Sequence, residues 1–401
     1  MKHMRKNILI INYYYPPINN GGVQRIRNFK KYLSSAGHNV SIITTNSYGS
    51  LEDDGENGIY RFPDKGYDYT HSSRNSKLGV FLFRAFRRMQ VYMGFITDGK
   101  YYWKKEVIRG LDSILVDKQY DVVIASYPTP ANLEIGEFIH EKYNIPLIID
   151  YRDGLMYDPF PEIMKNFVLY RKRLKALEKR LAQKAVLHLT VNEPMNEYYS
   201  NKYPNVESVM ISNGFDDEEI IDSEPVNLPK GINVLYTGAI GKSRKLYDFD
   251  KLSKVLNFIF TYSENINFVF IGDYENNELE FMKKYKNVYV MDKQSRNTII
   301  STQRVADAFL LISGPKGATS GKLYEYMFAG RPILNIGGNE GIAKIIDDKN
   351  FGMTCEPEDL SKIAKFLKRL ENKELTFDYE GKEKYTRRNQ CNILLDYLNK
   401  R

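Results

Sequence analysis

Short apolar, β-branched runs alternate with stretches of helical periodicity along the chain. Asn7–Asn12 reads as a buried strand, followed by a glycine-containing loop and a helix from about Val23 to Ala36 that Gly37 stops. Asn39–Thr45, Asp121–Ala125, Pro146–Asp150 and Val186–Val191 repeat the pattern with helix-like segments between them. Runs this short, apolar on both faces and joined by helices, predict a parallel sheet covered on both sides.

The same grammar restarts later. Asn233–Thr237 leads into Gly238 and a helix from about Asp248 to Tyr262, and Asn267–Ile271 leads into Gly272. Val288–Met291, Ala308–Ile312 and Pro332–Ile336 continue the series. Between the halves, Asp222–Gly231 holds two prolines and no periodicity, which places the boundary there. The expectation is an α/β fold of two doubly wound, Rossmann-like domains, residues 1–225 and 226–380, facing a central cleft at the carboxyl ends of both sheets.

Composition narrows the class. With 401 residues, 42% hydrophobic and 27% charged, the chain can bury two cores and is neither disordered nor fibrous. Fifty-eight Lys and Arg against 50 Asp and Glu give a net charge of +8, which favours phosphate-bearing partners without choosing among them. Cys355 and Cys391 are the only cysteines, which excludes a disulfide framework and a Cys-rich zinc site and suits a reducing cytosol. The basic start is followed by an apolar run, Ile8–Ile11, too short for a signal peptide, and no run is long enough to span a membrane. A cytoplasmic protein, soluble or attached to the inner face of the membrane, is expected.

Two glycine-rich segments carry candidate chemistry. Tyr13–Gly22 ends in Gly21-Gly22 at the start of a helix, where free N–H groups and the helix dipole favour a phosphate; the same residues also fit a tight strand–helix turn. It is not G-x-G-x-x-G. Gly314–Pro332 is richer: Ser320-Gly321-Lys322 opens a helix and offers backbone donors plus an ammonium to a diphosphate, and Glu325 lies one turn on, placed to accept ribose hydroxyls. It is not a Walker A loop, since Leu323 stands where the metal-binding Ser or Thr belongs. A helix cap with an incidental lysine is the competing account.

The Gly-Gly loop, Ser212-Asn-Gly-Phe-Asp216, the Tyr236-Thr-Gly238 strand end and the Ser320–Met327 helix start occur in that order. Together they resemble the group 1 retaining, nucleotide-sugar-dependent glycosyltransferases of the GT-B fold, bacterial surface-polysaccharide type, over nearly the whole chain. The resemblance implies a donor held by the C-terminal domain and an acceptor held by the N-terminal one. It also implies that the C-terminal helix, 381–401, crosses back onto the first domain. Carried over, Gly21 and Gly22 approach the donor diphosphate, Lys245 neutralises it, and Glu325 holds the ribose. Gly238, Ser320, Gly321 and Leu323 complete the donor site. Two departures stand out: Gly317 replaces a glutamate that often contacts the donor sugar, and Ala239 replaces an arginine that often follows the strand-end glycine. Arg244 and Lys322 are placed to make up the missing charge.

Asp150-Tyr-Arg-Asp153 closes a strand where many family members have a catalytic histidine, so Arg152 and Asp153 are the candidate catalytic pair. Asp153 can take the acceptor proton or bind a sugar hydroxyl, and Arg152 can steady the leaving phosphate; an ion pair holding a loop is the alternative. Retention in such enzymes does not need two close carboxylates. Asp248-Phe-Asp250 reads as helix N-terminal charge, so neither a metal nor another cofactor is expected.

Leu78–Ile96 places Leu78, Leu82, Ala85, Met89, Met93 and Ile96 on one helical face, with Arg84, Arg87 and Arg88 away from it. Such a helix lies in an anionic membrane interface or packs on a core. Lys165–Lys184 is basic, with an apolar stripe of Tyr170, Leu174, Leu177 and Leu181 that fits core packing. The five histidines show no metal-ligand spacing. The expected partners are a nucleotide-sugar donor, UDP-linked rather than GDP-linked, a glycan or polyprenyl-linked acceptor, and a membrane surface; nucleic acid is not among them. The role implied is capsule, O-antigen or similar surface-glycan synthesis. A catalytically degenerate binding relative and a nucleotide-sugar epimerase on the same scaffold are the competing readings.

Overall fold

The computed structural model describes the chain apart from residues 1–4, 19–20, 53, 117, 158–166, 220, 241–248, 314–319, 338–339, 349, 376–379 and 401. It falls into two compact units, Met1–Ser212 with Gln390–Arg401, and Asn213–Asn389.

The first unit holds β1 (Asn7–Ile11), β2 (Asn39–Thr45), β3 (Ile59–Phe62), β4 (Val122–Tyr127), β5 (Leu147–Tyr151), β6 (Leu187–Thr190) and β7 (Glu207–Met210). They form one parallel sheet in the order β3-β2-β1-β4-β5-β6-β7. Alternate residues of the runs enter different cores. Leu9, Ile11, Val123 and Ile149 pack with Trp103, Ile135 and Leu174 on one face; Ile8, Ile10, Ile124 and Ile148 pack with Ile26 and Phe29 on the other. Both faces are therefore dry, which is why the middles of these strands are continuous apolar runs. The strand order reverses between β1 and β4, so the crevice at their carboxyl ends is where a ligand site belongs.

The second unit holds β8 (Ile232–Thr237), β9 (Ile266–Ile271), β10 (Val288–Met291), β11 (Ala308–Ile312), β12 (Ile333–Ile336) and β13 (Gly352–Cys355). The parallel order is β10-β9-β8-β11-β12-β13, with its own reversal between β8 and β11.

The division falls earlier than composition placed it. Phe215 belongs to the second unit: its N–H donates to the Tyr385 carbonyl at 3.2 Å, its carbonyl accepts from Arg387 at 2.7 Å, and its ring stacks on Phe328. The Pro-containing stretch is strapped to the helix Arg296–Val305, with Val226 N–H donating to Thr302 Oγ1 at 3.0 Å. It is a surface strap of that unit. The C-terminal segment is also not one helix: a short 3-10 turn, Lys382–Tyr385, precedes the helix Arg387–Lys400. Cys391, Leu394 and Leu398 of that helix pack beside Ile26 and Phe29, which puts Gln390–Arg401 in the first unit.

Candidate active site

At the carboxyl end of β5, Asp150 is fully buried and paired with Arg25. Arg25 Nη2 donates to Asp150 Oδ1 at 2.8 Å, Arg25 Nη1 donates to the Ile211 carbonyl at 2.7 Å, and Ser126 Oγ donates to Asp150 Oδ2 at 2.8 Å. Arg25 and Ser126 between them engage both carboxylate oxygens, so Asp150 ties β4, β5 and the first helix together.

Arg152, two residues on, turns to the glycine loop. Its Nη1 donates to the Gly22 carbonyl at 2.7 Å, at the first turn of the helix Gly21–Ser35. Burial lowers its pKa, opposed by the charges of Asp153 and Asp150. Asp153 is exposed. The structure thus joins two predicted site elements, Arg152 and Gly22, and turns the Asp153 side chain to solvent.

The loop that carries them is anchored from below. Leu155 N–H donates to Tyr199 Oη at 3.2 Å, and Met156 N–H donates to Glu178 at 2.8 Å. Gly154 is required, because a Cβ there would sit 1.8 Å from the Tyr157 carbonyl oxygen. Glu178 is buried and also accepts from Lys202 Nζ at 2.7 Å and from the hydroxyls of Tyr198, Tyr199 and Tyr203.

A second group lies beside the carboxyl end of β1, and sequence reasoning assigned it no role. Asp98 accepts from Lys100 N–H at 2.8 Å and from Ala131 N–H at 3.2 Å, the latter in the first turn of the helix Pro130–Tyr143. Burial, opposed by these bonds, pushes the Asp98 carboxyl up to about 6. Lys100 Nζ stands 4.0 Å over the Tyr13 ring and 3.7 Å from Asp64, which accepts from Tyr13 Oη at 2.8 Å. Only the three-dimensional fold brings these residues together.

In the second unit, Gly238 ends β8 at φ 87°, where a Cβ would lie 3.1 Å from Lys322 Cε. Lys322 Nζ rests 4.0 Å over the Tyr236 ring. Ser320 is buried at the N-cap of the helix Gly321–Ala329, and at Gly321 an added Cβ would meet open space. Leu323 is buried in the core with Leu235 and Phe309, so its side chain packs inward and only its backbone faces the helix start.

Glu325 meets a partner the sequence did not suggest. Arg296 Nη1 donates to Glu325 at 2.9 Å, while Nε and Nη2 donate to Glu219 at 2.6 and 2.9 Å. Burial alone would lower the Arg296 pKa, but the two carboxylates raise it above its ordinary value. The available signal was weak: Ser295 caps the helix that begins at Arg296, after β10. Arg244, Lys245, Gly317 and Asp248 lie outside the described residues. Among the described residues, no three His, Cys, Asp or Glu side chains gather so as to hold a metal ion.

Two parallel-sheet Rossmann-like units, each with its own switch point, are the fold of the GT-B glycosyltransferases. Solved structures match this fold over nearly the whole chain. Sucrose-phosphate synthase from Thermosynechococcus elongatus matches with a TM-score of 0.64 at 13% identity, over 98% of this chain and 96% of that one. An α,α-trehalose-phosphate synthase (UDP-forming) from Burkholderia vietnamiensis gives 0.61 at 12%, over 99% and 100%. A lipopolysaccharide outer core galactosyltransferase gives 0.58 at 13%, over 97% and 98%. Residues 19–219 match the model for Glycosyltransferase Family 4, and residues 231–373 match that for Glycosyl transferases group 1. The chain belongs to this family and is a glycosyltransferase. No curated protein sequence matches it.

Proposed function

We propose that this enzyme moves a sugar, with retention, from a nucleotide diphosphate onto a growing glycan or a lipid-linked acceptor in surface-polysaccharide synthesis, on the cytoplasmic side of the membrane. The observation that carries the donor assignment is the grouping of Gly238, Lys322 and the Gly321 helix N-terminus in one unit, with Glu325 one turn further along the same helix. An ammonium and free N–H groups suit a diphosphate, and a carboxylate suits a ribose. UDP is favoured, in line with the UDP-forming synthase among the similar structures. The galactosyltransferase of lipopolysaccharide outer core supports the surface-glycan role.

Chemically, the acceptor oxygen bonds to the anomeric carbon as the bond from that carbon to the diphosphate breaks, and the acceptor proton passes to the departing phosphate oxygen on the same face. The protein supplies placement and charge rather than a covalent partner. Lys322, with Arg244 and Lys245, neutralises the leaving group; Arg152 holds the Gly22 turn, and Asp153 serves the acceptor hydroxyl. No cofactor or metal is required in this scheme, so transfer persists in EDTA.

The test is calorimetry of the purified protein against UDP- and GDP-sugars without metal. Micromolar binding of one base family, lost in Glu325→Ala with an unchanged unfolding profile, supports the assignment. Near-normal turnover in both Glu325→Ala and Lys245→Ala refutes it.

A further inference from the structure

The helix Lys77–Tyr92 is attached by one side. Ser76 caps it, accepting from Gly79 N–H at 3.1 Å. Phe83 packs against Tyr69 and Tyr102, Val91 is buried, and Tyr92 stacks on Phe167 with ring centroids 4.1 Å apart. The outer side is bare. Leu78 is 68% exposed, Phe81 66% and Phe95 66%, and Leu82, Phe86 and Met89 are each about half exposed. Of the apolar face read from the sequence, only Ile96 is buried.

These side chains do not stand singly. Phe81, Met89 and Met93 join Phe167 and Val168, at the start of the helix Val168–Lys184, to line a groove of about 740 Å³, rimmed by Arg84 and Arg88. The exposed charge of the two helices that carry it has one sign. The helix Lys77–Tyr92 has no acidic residue, and the one acidic residue of Val168–Lys184, Glu178, is buried, whereas Arg171, Lys172, Lys175 and Lys179 are exposed.

We propose that this groove and helix face dock on an anionic phospholipid bilayer, with the apolar side chains entering the acyl boundary and Arg84 and Arg88 meeting headgroup phosphates. An apolar surface of this extent needs a cover. Cationic residues interleaved with aromatic and aliphatic ones match a surface that is apolar below and negatively charged above. A protein partner would need acidic side chains set among apolar ones, whereas an anionic bilayer presents that combination everywhere. The proposal deepens the reading of a lipid-linked acceptor, which needs the enzyme at a membrane. It is tested without any sugar donor, so either one fails independently of the other.

The experiment is flotation of the full chain with phosphatidylcholine vesicles, with and without phosphatidylglycerol, together with light scattering of the free protein. The wild type is expected to bind anionic vesicles on the order of 30-fold tighter than neutral ones, from two arginines near a charged surface, and to be released by salt. Phe81→Ser with Met89→Ser abolishes binding, and Arg84→Glu with Arg88→Glu removes the anionic preference. All four side chains lie on the groove rather than in a core, and unchanged thermal melting confirms folding. Hydrogen exchange of the wild-type chain supplies a second reading, with slower exchange over 77–96 on anionic vesicles. Equal or absent binding to the two vesicle types overturns the proposal. So does a dimer in solution that Phe81→Ser with Met89→Ser dissociates, which assigns the face to a second copy of the chain.

Discussion

Arg296 holds Glu325 with one guanidinium nitrogen at 2.9 Å and turns the other two on Glu219. The carboxylate proposed to bind ribose is therefore fixed in direction by a residue from a different helix. Glu219 takes the bidentate share of the fork, leaving Glu325 an oxygen for a ligand. This is the arrangement expected of a group that must accept hydrogen bonds without moving.

Removing Arg296 tests that account. Arg296→Ala is expected to raise the donor KM by roughly 10- to 100-fold with kcat little changed, because one charge-assisted hydrogen bond contributes about 1.5–3 kcal/mol. Arg296→Lys rescues only part of it, since a point charge does not reach both carboxylates as a planar fork does. Steady-state kinetics with donor varied at saturating acceptor decide; an unchanged KM in Arg296→Ala refutes the positioning role.

Glu178 makes a different prediction because it is buried beneath the loop that carries Arg152 and Asp153. Glu178→Ala leaves Lys202, three tyrosine hydroxyls and the Met156 N–H without their acceptor. A loss of about 3–5 kcal/mol in urea unfolding is expected. Glu178→Gln, which keeps one acceptor oxygen, is expected to fold and to show lower kcat with nearly normal donor affinity, because Lys322, Gly321 and Glu325 are in the other unit from the disturbed loop. Wild-type kcat in Glu178→Gln would separate the loop from the chemistry.

His188 sets a pH dependence. It is fully buried on β6, and burial lowers its imidazole from 6.5 to about 4. Below about 6.5 the unfolded chain takes up a proton that the native state does not, so stability falls as the pH drops from about 6.5 to about 4. The loss from this residue is about 3 kcal/mol. Denaturation at stepped pH is expected to show a shallower acid slope in His188→Gln than in the wild type. Asp98 acts with the opposite sign: its raised pKa means that stability falls as the pH rises from about 4 to about 6. The comparison is therefore made between single variants rather than on the wild-type curve alone.

The interior strands were legible because burial on both faces leaves a continuous apolar run, as at Ile8–Ile11 and Phe268–Ile271. The edge strands β3, β7, β10 and β13 show how that signal fades. The apolar pattern predicts β10, but β3, β7 and β13 are four residues each, half-buried or exposed at half or more of their positions, and carry mixed polarity. The apolar stripe Tyr170, Leu174, Leu177 and Leu181 fits core packing and is buried, whereas an equally periodic face on Lys77–Tyr92 is exposed. Periodicity tells which residues share a face, not what covers it. In the site, local motifs such as Ser320-Gly-Lys322 were visible along the chain. The Arg296–Glu325 pair and the Asp98–Lys100–Tyr13 group join distant segments and leave no local trace.

Two glycines give the sharpest separation of fold from ligand. Gly238→Ala places a Cβ at φ 87° and 3.1 Å from Lys322 Cε, so a backbone penalty of about 1–2 kcal/mol accompanies displacement of the lysine. Both stability and donor affinity fall together, and neither change alone identifies a site. Gly321→Ala differs, because its Cβ meets open space and alanine is the better helix former. Its melting temperature is expected to hold or rise, by up to about 1 kcal/mol in stability. If a diphosphate approaches the Gly321 N–H, the same methyl group stands in its way, and the donor Kd rises by about tenfold or more. A more stable variant with weaker donor binding is the signature of a backbone phosphate site. Gly321→Ala with unchanged donor affinity would move the diphosphate away from this helix and leave Ser320-Gly-Lys322 as an ordinary cap.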